Sequence, residues 1–146
     1  MHDGFANNFK KRVTISMNNT EQNTDTKSAF AAEGLFDLSF LAEMDDHEYL
    51  LEMIDVFIWE AGKELKEMKE ALRAGNDRLV YQKAHKVKSN AGIIQANKLN
   101  EILDNIELLG KKGGNENELT PLVENAFDQY LLVEKGLKKY VKENKV

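Results

Sequence analysis

From Asp46 to Ala74 apolar residues recur every three or four positions. Leu50, Met53/Ile54, Phe57, Ala61, Leu65, Met68 and Leu72 hold one face of a helix for about eight turns. Gly75 ends that run, and Asn76 or Asp77 caps the next helix. Its seam is Val80, Ala84, Val87, Ala91 and Ile94, spaced four, three, four and three apart. A further run places Leu99, Ile102/Leu103, Ile106 and Leu109 on one face, and Gly110 then Gly113-Gly114-Asn115 break the chain after it. Thr120-Pro121 reads as an N-cap with proline at the first helical position. It opens a last helix with Leu122/Val123, Ala126/Phe127, Tyr130, Val133, Leu137 and Tyr140/Val141 inside. No stretch alternates with period two, so no strand is predicted.

Ahead of these runs, residues 1–33 are polar and without a sustained period. Asn18 to Thr26 is too poor in apolar side chains to order itself, which predicts a flexible N-terminal tail or linker. Order is expected from near Leu35. Asp37 caps a short helix carrying Leu38, Leu41 and Met44, and Asp45 caps the long helix with Glu48 three residues on, in a capping box. The pattern predicts an all-α fold: an antiparallel four-helix bundle over residues 34–146 with a short extra N-terminal helix.

The length of 146 residues suits a single domain, and 42% hydrophobic content suffices for one core. With no cysteine, disulfides and thiolate metal sites are excluded. One proline favours long helices. A net charge of −5 argues against general nucleic-acid binding. Between Arg78 and Asn100, however, stand five basic residues (Arg78, Lys83, Lys86, Lys88, Lys98) and no acidic one. Such a patch suits a small acidic docking surface. No apolar run is long enough to span a membrane, and Lys10-Lys11-Arg12 is followed by no apolar segment of a secretory signal. A soluble, cytoplasmic protein is expected.

His85 lies within the basic stretch, about 140° around the helix from the apolar seam, and so faces water. Lys88, Ser89 and Gly92 follow at i+3, i+4 and i+7 on the same face. An outward imidazole thus has a cation one turn away and two small residues that leave room for another molecule. Ile93, apolar yet off the seam, forms a small docking patch with Tyr81, Gln82, Ser89 and Gly92. Lys86 points about 100° from His85 and is placed to steer a partner. Other chemistry is thin. His47 reads as a surface residue near a helix start, and neither it nor His85 has glutamate three residues before it, as a di-iron bundle needs. No phosphate-binding loop or kinase signature occurs, so neither ATP binding nor self-phosphorylation is expected. Trp59, about 170° from its helix's apolar stripe, is expected to cover the short leading helix (Phe36 or Phe40) or part of the tail, in preference to a dimer contact.

The string from Ala84 to Ala96 resembles the signature of histidine-containing phosphotransfer (HPt) domains, A-H-x-L-K-G-x-x-x-x-x-G-A. Ala84, His85, Val87 (for Leu), Lys88 and Ala96 match it; Ser89 and Gln95 replace its glycines. The likeness extends over residues 36–141. It implies a phosphocarrier rather than a turnover enzyme. His85 would accept a phosphoryl group from a receiver-domain aspartate and pass it to another, with Lys88 neutralising phosphoryl charge. The implied partners are response-regulator receiver domains and a hybrid sensor histidine kinase. Mg²⁺ is expected in the partner's acidic pocket, with no metal or cofactor bound by this chain. A monomer is expected, free-standing or cut from a larger hybrid kinase. The alternative is a non-catalytic helical module that binds a receiver-like or other acidic partner and transfers nothing.

Overall fold

The computed structural model describes residues 34–145, and the expected tail, residues 1–33, lies outside them. Among the described residues five helices follow in order: α1 (Ser39–Ala42), α2 (His47–Arg73), α3 (Asp77–Ile93), α4 (Asn97–Lys111) and α5 (Glu116–Asn144). There is no strand among the described residues. The four long helices bury the seams read from the sequence. Ile54, Leu65, Met68, Val80, Ala84, Val87, Leu99, Leu103, Ile106, Val133 and Leu137 are all fully buried.

Polar contacts fix the direction of each packed pair. Tyr81, His85 and Lys88 on α3 meet Gly110, Glu107 and Asp104 on α4, so these two run antiparallel. Lys83 and Asn90 meet Glu67 and Glu60, which sets α2 against α3 in the same way. The α5 helix returns beside α2: the Tyr130 hydroxyl donates to the Ile58 carbonyl at 2.7 Å, and His47 Nε2–H donates to the Asn144 carbonyl at 2.6 Å. His47 is therefore half-buried at the seam between the first turn of α2 and the last of α5, rather than a free surface residue, and burial pushes its pKa down.

Several boundaries differ from expectation. The short helix is a single turn, Ser39–Ala42, although Asp37 Oδ1 does accept from the Ser39 amide at 2.9 Å. Asp45 does not cap α2. It takes a left-handed φ of 59°, leaving Asp46 extended as the N-cap, where it accepts from the Tyr49 amide at 3.0 Å. Thr120-Pro121 lies inside α5, which begins at Glu116 because Asn115 and Glu118 form a reciprocal capping box. Proline is tolerated there because the carbonyl it leaves unbonded belongs to the exposed Asn117. Gly110 does not break the chain either. It is buried in α4, where a Cβ would come within 2.9 Å of the Tyr81 Cβ, so its lack of a side chain lets α3 and α4 close together. Trp59 covers neither proposed phenylalanine: Phe36 is in the core, Phe40 is exposed, and Trp59 is 67% exposed. The tail, its other expected contact, lies outside the described residues.

Helices α2, α3 and α4 end alike. In each the residue after the C-cap has positive φ: Gly75 (73°), Gln95 (50°) and Gly113 (81°). The next amide then bonds back to the carbonyl five residues earlier: Asn76 to Ala71, Ala96 to Ala91, and Gly114 to Leu109. Gln95 alone of the three carries a Cβ in this strained region. Gln95→Gly is expected to stabilise the fold by roughly 0.5–1 kcal/mol, the relieved Cβ strain outweighing glycine's greater unfolded-state entropy. Thermal denaturation checks this. An unchanged or lower Tm would mean that packing of the Gln95 side chain outweighs the strain.

Candidate functional site

The site is built on the outer side of α3 where α4 leans against it. Burying Val80, Ala84, Val87 and Ala91 turns the opposite side of α3 outward. The His85 side chain is 61% exposed. Gln82, Lys86, Ser89, Gly92 and Ile93 are exposed along the same strip, as the sequence predicts, whereas Tyr81 is half-buried over Gly110. The Ser89 hydroxyl folds back onto the His85 carbonyl at 3.1 Å, so it does not obstruct the imidazole. A Cβ at Gly92 would meet only the Asn100 side-chain amide, at 4.0 Å, and this part of the strip is open.

Behind the imidazole stands Glu107, reached from α4. Its side chain is only 9% exposed. Oε2 lies 3.0 Å from His85 Nδ1 and 3.2 Å from Lys111 Nζ. Oε1 lies 2.9 Å from Lys88 Nζ, which also reaches Asp104 Oδ1 at 2.9 Å. Burial pushes the Glu107 carboxyl up, but Lys88 and Lys111 outweigh it and hold the pKa down at about 2. The hydrogen bonds from Asp104 and Glu107 push Lys88 up, so it stays charged.

The tautomer follows. An ionised carboxylate only accepts, so Nδ1 carries the ring proton and donates it to Oε2. Nε2 is left with a lone pair on the far side of an exposed ring. A neutral imidazole held in this way can attack an electrophile brought from solvent. Once Nε2 bears a substituent the ring is cationic, and Glu107 faces that charge directly.

On the other flank, Lys83 bridges Glu64 and Glu67 of α2 at 2.8 and 2.6 Å, which pushes its pKa up and that of Glu67 down. Lys86 is 3.7 Å from Glu64 Oε2 and 63% exposed, leaving it available to a partner. The basic stretch of α3 is thus partly neutralised by acids on both neighbouring helices. Among the described residues no cluster of three or more His, Cys, Asp or Glu side chains is arranged to hold a metal ion. None of the helices there is long and apolar enough to cross a membrane.

Helical spacing alone brings His85 and Lys88 to one side of α3, whereas Glu107, Asp104 and Lys111 join them only through the packing of α4 on α3. One signal for Glu107 was available: it follows Leu103 by four residues and so occupies the inward-facing side of α4. A carboxylate there requires cationic partners from a neighbouring helix.

Residues 52–139 match the Hpt domain family model, over more than half of the chain. No curated protein and no solved structure matches. An all-α bundle, an outward histidine and this match agree: the chain belongs to the Hpt domain family, whose members serve phosphotransfer in phosphorelay signalling with receiver domains and kinases.

Proposed function

We propose that this chain is a phosphocarrier that relays a phosphoryl group between receiver-domain aspartates through His85. The observation that carries the reading is the His85–Glu107 pair: an exposed ring whose Nδ1–H is held by a buried, ionised carboxylate. The Nε2 lone pair attacks the phosphorus of an aspartyl phosphate. The N–P bond forms, the P–O bond to the aspartate breaks, and a free carboxylate leaves. The reverse step passes the group to a second receiver. Such transfers need in-line placement and charge neutralisation more than covalent help. Mg²⁺ in the receiver's acidic pocket supplies most of that neutralisation. Lys88 adds to it from one turn along α3, while Lys86 and the strip of Gln82, Ser89, Gly92 and Ile93 meet the partner, with Tyr81 at its edge. The site would serve as a monomer in the cytoplasm, where receivers and the soluble parts of sensor kinases meet.

Incubation with a phosphorylated receiver tests this. Phosphate should appear on the chain in acid-labile, base-stable form and map to His85. Binding without labelling would instead make the chain a helical interaction module.

The role of Lys88 has its own test. Lys88→Ala is expected to slow transfer by roughly 10-fold with little change in receiver affinity, because a charge on the phosphoryl oxygens matters most in the transition state. Stopped-flow transfer rates beside a binding titration separate the two. An unchanged rate would assign Lys88 to fixing Glu107 alone.

A further inference from the structure

Burying Ala126, Val133 and Leu137 turns toward solvent a stripe of α5 that the proposed relay does not use. Leu131, 47% exposed, and Leu132, 52% exposed, lie side by side on it. Toward the N-terminus of the helix the stripe carries Glu124 and Asp128, and toward the C-terminus Lys135 and Lys139, all exposed. At about 100° per residue, Asp128 and Lys135 fall within roughly 20° of each other, on the line that runs between the two leucines. Glu124 and Lys139 lie about 60° apart on the same outer side. These acids and lysines make no ion pair among the described residues. The cations beside them are engaged elsewhere. Lys138 bonds Glu134 at 3.2 Å, and Lys69 of α2, which borders the acidic half, lies over the Phe127 ring, 4.5 Å from its centre.

The stripe is its own complement. Asp128 and Lys135 stand equally far along the helix on either side of the Leu131–Leu132 step, and so do Glu124 and Lys139. A second α5 laid antiparallel across that step therefore presents Lys135 to Asp128 and Lys139 to Glu124, in both directions at once. Leu131 meets Leu131 of the second copy on one edge, and Leu132 meets Leu132 of the second copy on the other. That is the reciprocity a two-fold interface requires. An apolar centre with charges outside it is also the ordinary anatomy of a protein contact. Laid parallel, the same stripes would set acid against acid and lysine against lysine.

We propose that two copies of this chain pair antiparallel through the outer stripe of α5, with Leu131 and Leu132 at the centre and Glu124 and Asp128 against Lys139 and Lys135 of the second copy. From Glu124 to Lys139 the helix runs about 22 Å. A contact one helix wide over that length buries less than about 1,000 Å² in total, which places it among weak, reversible pairings. Dilute chain therefore stays single. Helices α3 and α5 each pack on α2 and α4, which puts α3 across the core from α5. Pairing thus leaves both His85 rings open to partners, and each site stays complete within one chain. The pairing does not rest on the phosphocarrier reading.

Sedimentation equilibrium of the full chain tests it. The weight-average mass should rise from one chain toward two between about 10 µM and about 1 mM. E124K/D128K and K135E/K139E should each fold like the parent by circular dichroism. Each should associate at least about 10-fold more weakly, because each face then repels its own copy. An equimolar mixture of the two variants should recover the parent's association or exceed it, because a basic face then meets an acidic one. Loss of folding would not produce that recovery. A parent that keeps the mass of one chain over the whole range overturns the pairing. Association that is equal in the parent and in either variant alone, or that fails to return in the mixture, overturns the α5 stripe as the contact. A mass that climbs past two chains overturns the closed two-fold arrangement.

Discussion

A His85→Gln chain is expected to fold like its parent and to take up no phosphate from a phosphorylated receiver. The fold tolerates the change because the ring is 61% exposed and makes one side-chain hydrogen bond, to Glu107. A glutamine amide can donate to that carboxylate. Surface changes of this kind usually stay within about 0.5 kcal/mol, and partial loss of the Glu107 bond adds about 1 kcal/mol at most. The chemical loss should be complete because the amide nitrogen of glutamine has no available lone pair. His47 cannot substitute within the described domain: its Nε2 is held on the Asn144 carbonyl at 2.6 Å at the far end of α2. Thermal melting followed by circular dichroism checks the fold, and ³²P transfer checks the chemistry. Labelling of the variant at the parent's rate would remove His85 as the acceptor.

Glu107→Gln is the second large effect, and it has two readouts. The first is rate. A glutamine side chain can present its NH₂ to the imidazole, which favours the tautomer with the proton on Nε2 and hides the nucleophilic lone pair. It also no longer balances the positive ring of the phosphorylated state. Transfer is expected to fall by on the order of 10- to 100-fold, with receiver affinity nearly unchanged. Equal rates for the two chains would reduce Glu107 to a structural residue. The second readout is acid stability. The Glu107 carboxyl is held at about 2 in the folded chain, below its ordinary value of 4.5. A depressed pKa means that the ionised form stabilises the fold above the ordinary carboxyl range. That stability is lost as pH falls from there through about 2. Allowing for screening at the half-exposed Lys111, the contribution is on the order of 2 kcal/mol. Urea denaturation at several pH values should show the parent losing this increment across that window and the glutamine variant lacking it. Identical acid slopes would assign the parent's loss to other carboxylates.

The core was legible in the sequence because burial imposes a period. Every seam residue of α3, from Val80 to Ile94, is buried as its spacing requires. Outward placement of His85 followed from the same geometry. What stayed hidden depends on backbone detail or on a second helix. The left-handed φ of Asp45 moves the α2 cap by one residue, and nothing in Asp45-Asp46 distinguishes the two aspartates beforehand. Asn115 wins over Thr120-Pro121 because Glu118 completes its capping box, a pairing the proline signal obscured. Gly110 reads as a breaker until Tyr81 is seen against it. Glu107 and Lys111 belong to the site only through packing of α4 on α3, and periodicity along one helix says nothing about which residues face each other across two.

That pairing across two helices has a consequence. Four residues on either side of Glu107 along α4 stand Leu103 and Lys111. Sliding α4 by one turn, about 5.4 Å, would bring an alkane or a cation opposite the imidazole instead of an anion. The phase between the helices is set by the tight connection at Ile94–Ala96, with Gln95 at its strained centre. A change in that connector that shifts the phase would thus alter the protonation pattern of a ring ten positions away without substituting any residue that touches it.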